Sequence, residues 1–324
     1  MRALRYRRYG SPDVLAIEEM PEPVPRAGCA KVRVRAVALN PLDWKILAGH
    51  VRLIPFIPSP PRGVGFDFAG EIVGVGGGAT QRYVGERVFG SLAPSTRDGA
   101  CSEFISVPYD RMLPLDPEID DVQAAALPIA GGTALQALID DAQVARGQRV
   151  LITGAAGGVG HFAMQIAKHL GTRVVGVCSA RNAEFVRSLG ADEVVDYATQ
   201  DFTRREDRFD VVLDAACAST FHRARRVLTE VGVYLNTGGD AAAVVSTAAS
   251  AVLARLGSRQ RAIPMALRNG PRIWQRLLDL VRRQVLRAHI EEEIGLEAVA
   301  DALRSMQTGH GRGKRVVRLR NAAL

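Results

Sequence analysis

The chain has 324 residues and a mass of 34.9 kDa, with 47% hydrophobic and 23% charged residues, which excludes a fibrous, coiled-coil or disordered polymer and suggests about two domains. Four cysteines, Cys29, Cys101, Cys178 and Cys217, lie far apart without a C-x-x-C spacing, excluding a disulfide scaffold and a cysteine-rich zinc module. The net charge of +8 rests on arginines scattered over the whole chain, with Lys31, Lys45, Lys168 and Lys314 as the only lysines, so nucleic acid is not the expected partner.

In chain order, Met1 to Glu19 lacks the apolar core of a secretory signal. Lys31 to Val37 alternates charged and apolar residues, the period of a half-buried strand. Short β-branched runs at Glu71–Val75 and Gly85–Phe89, with loops marked by Pro21, Pro23, Pro25 and the Pro55-to-Pro61 cluster, predict a compact antiparallel, barrel-like unit. The uncharged stretches Val122–Ile139 and Val150–Ala167 are too interrupted by glycine, proline and polar groups to span a bilayer. The chain therefore reads as a soluble, cytosolic protein without a membrane partner.

From about residue 121 strands and helices alternate. Gln148–Thr153 predicts a buried strand, His161–Leu170 a helix ending at Gly171, Thr172–Cys178 a second strand and Asn182–Leu189 a second helix. Val194-Val195, Val211–Leu213 and Val233–Leu235 supply later strands, which together make a doubly wound parallel α/β sheet. An amphipathic helix follows around Ile273, Leu277, Leu280 and Val285, and Arg315–Leu319 reads as a closing strand.

The sharpest signal is Gly154-Ala155-Ala156-Gly157-Gly158-Val159-Gly160, directly between the strand and the helix. A tight turn there needs small residues, and the pyrophosphate of a dinucleotide must reach backbone N–H groups at the positive end of a helix. Gly154, Gly157, Gly158, Val159 and Gly160 are thus the expected phosphate cradle. An NAD site places a carboxylate at the end of the second strand to accept from the ribose 2′-hydroxyl. Here that turn reads Cys178-Ser179-Ala180-Arg181-Asn182, with no acid at its tip. A hydroxyl and a guanidinium suit a 2′-phosphate, so the expected cofactor is NADPH.

Several motifs in fixed order resemble the medium-chain dehydrogenase/reductase superfamily in its zinc-independent quinone oxidoreductase branch: Ala38–Asp43, Gly65–Gly70, Ala130–Ala134, the glycine loop, Asn236–Gly239 and Gly313-Lys314. The resemblance implies a GroES-like β-rich catalytic domain over 1–120, completed by about 265–324, and a Rossmann domain over 121–264, with the active site in the cleft between them. It implies Asn40 and Thr133 beside the nicotinamide, Gly238 and Gly239 on the loop beneath it, and Ser179, Arg181 and Tyr197 around the 2′-phosphate. Lys314 is expected at the cofactor or cleft, or else as an exposed strand-end charge, and Asp43 as a cap for the helix near Trp44. Zinc-dependent relatives carry cysteine, histidine and cysteine where Asn40, Phe66 and Ile129 stand, and an amide, a phenyl ring and an alkyl chain cannot ligate Zn²⁺, so no metal is expected. A homodimer is the family expectation.

Without a Lewis acid, acceptors that are already electrophilic suit such a site. The expected reaction is hydride transfer from NADPH to a quinone or α,β-unsaturated carbonyl, with Asn40 donating to the developing enolate and His50 as a candidate acid. Two alternatives stand beside it: a biosynthetic, polyketide-type enoyl or tailoring reductase, and a weakly catalytic NADPH-binding sensor or nucleic-acid-binding protein.

Overall fold

The computed structural model describes residues 1–52, 54, 56–77, 83–238, 252, 255, 257, 259–265, 267–309 and 311–319. The first part of the chain forms β1 (Arg2–Tyr6), β2 (Ala16–Glu19), β3 (Cys29–Ala38), α1 (Pro41–Leu47), β4 (Arg62–Gly63), β5 (Asp67–Val75), β6 (Arg87–Ser91), β7 (Phe104–Pro108) and β8 (Met112–Pro114). In β3, Val32, Val34 and Ala36 face the core while Lys31, Arg33 and Arg35 stay half-exposed, which is the alternation a one-sided strand requires. This strand pairs antiparallel with β5 and with β7, and β6 and β8 extend the sheet.

The next part contributes α2 (Asp121–Ala125), α3 (Pro128–Leu135), β9 (Arg149–Thr153), α4 (Gly160–His169), β10 (Arg173–Cys178), α5 (Ala183–Ser188), β11 (Glu193–Asp196), β12 (Phe209–Asp214), α6 (Phe221–Ala224), β13 (Leu228–Asn236) and β14 (Arg261–Pro264). Six parallel strands lie in the order β11-β10-β9-β12-β13-β14, so the chain winds one way from β9 and then reverses between β9 and β12. That is the doubly wound dinucleotide-binding order, and its switch point lies at the C-terminal ends of β9 and β12. Val150, Ile152 and Leu213 belong to the core on one face of the sheet, and Leu151, Val177 and Val212 to the core on the other. Strands buried on both sides read as continuous hydrophobic runs for this reason.

The chain closes with α7 (Pro271–Arg282), β15 (Ile290–Ile294), α8 (Val299–Met306) and β16 (Lys314–Arg318). β16 pairs antiparallel with β3, Val316 opposite Ala38, so the last strand sits in the first sheet. α7 behaves differently. Its Trp274 is fully buried, and Leu277 and Ile273 lie 3.2 Å from where Cβ atoms on Gly131 and Gly132 of α3 would stand. The helix thus packs into the core it shares with the parallel sheet, ahead of the segment that returns to the first sheet. Among the described residues, no helix is long and apolar enough to cross a membrane.

Candidate active site

The glycine loop follows β9 at the switch point. Gly154 has φ +58°, and a Cβ there would lie 3.1 Å from that of Ala216. A Cβ on Gly160 would lie 2.0 Å from the Gly154 carbonyl oxygen, so α4 meets its strand with room only for hydrogen. Gly157, Gly158 and Val159 are half-buried and open the helix, where the first N–H groups lack intrahelical partners. His161 is fully buried with Nδ1 2.9 Å from the Gly157 oxygen. Burial pushes its pKa down to about 3, so the ring is neutral and Nδ1 carries the donated proton. The loop is thus a preformed anion cradle that fits a dinucleotide pyrophosphate.

Across the crevice, Asn40 caps α1 and joins a fully enclosed polar network. Its backbone N–H donates to Asp43 Oδ2 at 2.7 Å, and Asp43 Oδ1 accepts from the Gly65 N–H at 3.0 Å, so Asp43 is the structural cap the sequence suggests. The Asn40 amide nitrogen donates to Asp67 Oδ2 at 2.9 Å and to the Ala38 carbonyl at 3.2 Å. Lys314 Nζ donates to Asn40 Oδ1 at 2.6 Å and to the Leu39 carbonyl at 2.8 Å. Burial lowers the Lys314 pKa against the charges of Asp67 and Asp43. Burial also pushes Asp43 up to about 7 and Asp67 up to about 6, the Lys314 charge pulling both back.

Two expectations change here. Lys314 is only 3% exposed, so it is no strand-end surface charge, and its side chain runs beside Gly158. Both N–H groups of the Asn40 amide point inward, and an ammonium and a carboxylate fix that orientation from opposite ends. Asn40 therefore has no donor left for an enolate, which corrects the role the sequence suggested for it.

A second network holds the loop beyond β13. Asp214, fully buried at the end of β12, accepts from Thr153 Oγ1, from the backbone N–H groups of Ala218 and Ser219, and from the Tyr234 hydroxyl at 2.8 Å. Tyr234 in turn accepts from the Asn236 amide at 3.4 Å, whose Oδ1 takes the Gly238 N–H at 3.0 Å. The Gly238 carbonyl accepts from Lys45 Nζ at 3.3 Å, a contact that reaches from α1 across the crevice. Sequence reasoning missed Asp67, Asp214, Tyr234 and Lys45. Gly239 lies outside the described residues.

At the outer end, Cys178 and Asp196 are paired in β10 and β11, and the Tyr197 N–H donates to the Cys178 carbonyl at 3.2 Å. Ser179, Arg181 and Tyr197 are thereby gathered at the two neighbouring strand ends, with Arg181 exposed and Tyr197 53% exposed. Asp196 turns its Oδ1 onto the Ala198 N–H at 3.1 Å, inside its own turn. Thr133 is buried on α3, which packs against α4. His50 lies exposed, edge-on to Trp44 with ring centroids 5.5 Å apart, outside both networks.

Residues 26–146 match the alcohol dehydrogenase GroES-like domain, and residues 189–317 match the zinc-binding dehydrogenase family. The chain is 32% identical over 328 residues to a chloroplast envelope quinone oxidoreductase homolog of Arabidopsis thaliana, covering 98% of both. It is also 34% identical over 225 residues to an NADPH-dependent alkenal/one oxidoreductase of the same plant, covering 66% of this chain and 57% of that one. The solved structure of the quinone oxidoreductase from Coxiella burnetii superposes with a TM-score of 0.88 at 29% identity, covering 99% of each chain.

The chain belongs to the medium-chain dehydrogenase/reductase superfamily, in its zinc-independent quinone oxidoreductase-like branch.

In this member of the branch, Asn40 and Phe66 are buried and Ile129 half-buried. The Ile129 N–H donates to Asp67 Oδ2 at 3.1 Å. What meets those positions is the Lys314 ammonium with its two oxygen acceptors and two neighbouring acids. Among the described residues, no three histidine, cysteine, aspartate or glutamate side chains cluster as a metal site.

Proposed function

We propose that this oxidoreductase reduces quinones or α,β-unsaturated carbonyls with NADPH. The observation that carries the reading is the pairing of a preformed phosphate cradle with a facing network in which the Lys314 ammonium is fixed by Asn40 Oδ1 and the Leu39 carbonyl, at the positions where zinc-dependent relatives carry metal ligands. Gly154 to Gly160 would hold the pyrophosphate, and Ser179, Arg181 and Tyr197 the adenosine 2′-phosphate. Gly238, fixed by Asn236 and Lys45, would line the nicotinamide end together with Thr133. A bound nicotinamide supplies the hydride. Conjugation in the acceptor spreads the incoming charge onto oxygen, so the protein's task is orientation and electrostatics. Lys45, held at the Gly238 carbonyl, would put a positive charge near the nicotinamide end, where a fixed charge stabilises a developing oxyanion.

NADPH is preferred to NADH in this reading because the turn after β10 has no carboxylate and Asp196 is committed to its own turn. The alkenal/one oxidoreductase relative is named as NADPH-dependent. A homodimer, the family expectation, would be able to pair through β14, the terminal strand of the parallel sheet among the described residues. Oxidation of NADPH followed against quinones, enals, enones, enoyl thioesters and saturated carbonyls tests the function. Turnover is expected with conjugated acceptors only. Turnover confined to saturated carbonyls, or dependent on added zinc, would overturn the reading.

A further inference from the structure

The tripeptide Arg312-Gly313-Lys314 touches all three parts of the expected cofactor path. Lys314 ends on Asn40 and Leu39 in the first domain. The Gly313 N–H donates to the Ala156 carbonyl of the glycine loop at 2.7 Å. Gly313 has φ +58°, and a Cβ on it would lie 2.1 Å from the His289 carbonyl oxygen, so this crossing admits glycine alone. Arg312 reaches the turn after β10: Nε donates to Asn182 Oδ1 at 2.6 Å and Nη2 to the Arg181 carbonyl at 2.7 Å. Its guanidinium also lies 5.7 Å from the Phe185 ring centroid.

The fork of a guanidinium is rigid and planar, so two bonds from it fix both position and tilt of what it holds. Here it holds the main chain of Arg181 and the side chain of Asn182, the last two residues of the acid-free turn. Both acceptors are neutral, and among the described residues no carboxylate pairs with the Arg312 guanidinium. Glu291 accepts only the Arg312 main-chain N–H, at 3.0 Å, and faces Arg315 with its other oxygen. A side chain anchored this way, on a strap itself bolted to the glycine loop, is no drifting surface arginine.

We propose that Arg312 is a positioning residue for dinucleotide choice: it holds the Ser179–Asn182 turn in the arrangement that accepts a 2′-phosphate, from a segment over a hundred residues downstream of that turn. This rests on the NADPH reading above. The test is calorimetric binding of 2′,5′-ADP and of 5′-AMP to the full chain, for the wild type, Arg312→Ala, Arg312→Lys and Asn182→Ala, with folding checked by thermal melting.

Arg312→Ala is expected to weaken 2′,5′-ADP about tenfold and to leave 5′-AMP within about twofold. Arg312→Lys, which keeps the charge but not the fork, should behave like the alanine variant. Asn182→Ala, which removes one of the two acceptors, should give a smaller loss in the same direction and keeps the question answerable if Arg312→Ala unfolds. Equal losses for both ligands, an unchanged ratio, or full rescue by lysine would overturn the positioning role. A wild type that binds both ligands equally would overturn the NADPH reading, and this inference with it. Discrimination that persists undiminished in the variants overturns the inference alone.

Discussion

The two ends of the crevice solve opposite problems. At the inner end, Asn40, Asp43, Asp67 and Lys314 are buried and spend most of their hydrogen-bonding groups on one another and on backbone, Asp67 Oδ1 being the oxygen left over. At the outer end, Arg181 and Tyr197 stand in solvent, and the turn that carries them is held from behind by Arg312. A closed network should answer to mutation mainly in stability, because removing one partner strands the others away from water. An open one should answer mainly in ligand choice. The contrast separates residues that build the site from residues that read the cofactor.

The largest expected effect tests the closed end. Lys314→Met leaves the Asn40 and Leu39 oxygens and two buried acids without their cation, and should cost about 3–5 kcal/mol in a urea melt. Adding Asp67→Asn should recover part of that loss. A Lys314→Met protein of wild-type stability would dissolve the contrast. Next comes the open end: Ser179→Asp should weaken NADPH binding by about tenfold or more through like-charge repulsion, favour NADH, and leave the melting curve almost unchanged. A large drop in stability would show that the turn belongs to the closed class.

A smaller effect sharpens the inner end by pH. Asp43 is held up to about 7 by burial, so between its unfolded pKa near 4 and about 7 the folded state keeps a proton that the unfolded state has lost. Its contribution is therefore complete at acid pH and fades as pH rises through about 7. Asp43→Asn should flatten that decline by up to about 1.4 kcal/mol per pH unit, read from denaturation between pH 5 and 7. His161, held down to about 3, works in the opposite sense: its stabilisation is present above about 6.5 and is lost as pH falls toward 3. The smallest effect concerns His50, outside both networks: His50→Gln should change kcat by less than about twofold.

Much of this was legible in the residues. β9, the glycine loop and α4 combine a buried hydrophobic run, glycines at forced approaches and a helical stripe within about twenty positions. The alternation in β3 announced its buried face, and the missing acid after Cys178 announced the cofactor expectation. The inner network was not legible. Asp67 is simply an acid opening an apolar strand until β5 aligns with β3, and Lys314 meets Asn40 only after the last strand joins the first sheet. Which atoms of the Asn40 amide are committed depends on those two distant partners, so the sequence left its donor apparently available. The helix around Trp274 shows the same limit: its period reveals an apolar face, but the partner is set by Gly131 and Gly132 on α3.

Finally, the strand-like segment before β15 is gripped by two glutamines. The Gln165 amide on α4 exchanges both hydrogen bonds with the backbone of Arg287, and the Gln123 amide on α2 does the same with Ala288, all at 2.9–3.0 Å. Each side chain imitates the peptide of a neighbouring strand, so the return connection is riveted to α2 and α4. Any hinge motion at Arg287 and Ala288 would have to break these four hydrogen bonds and strand the groups that make them.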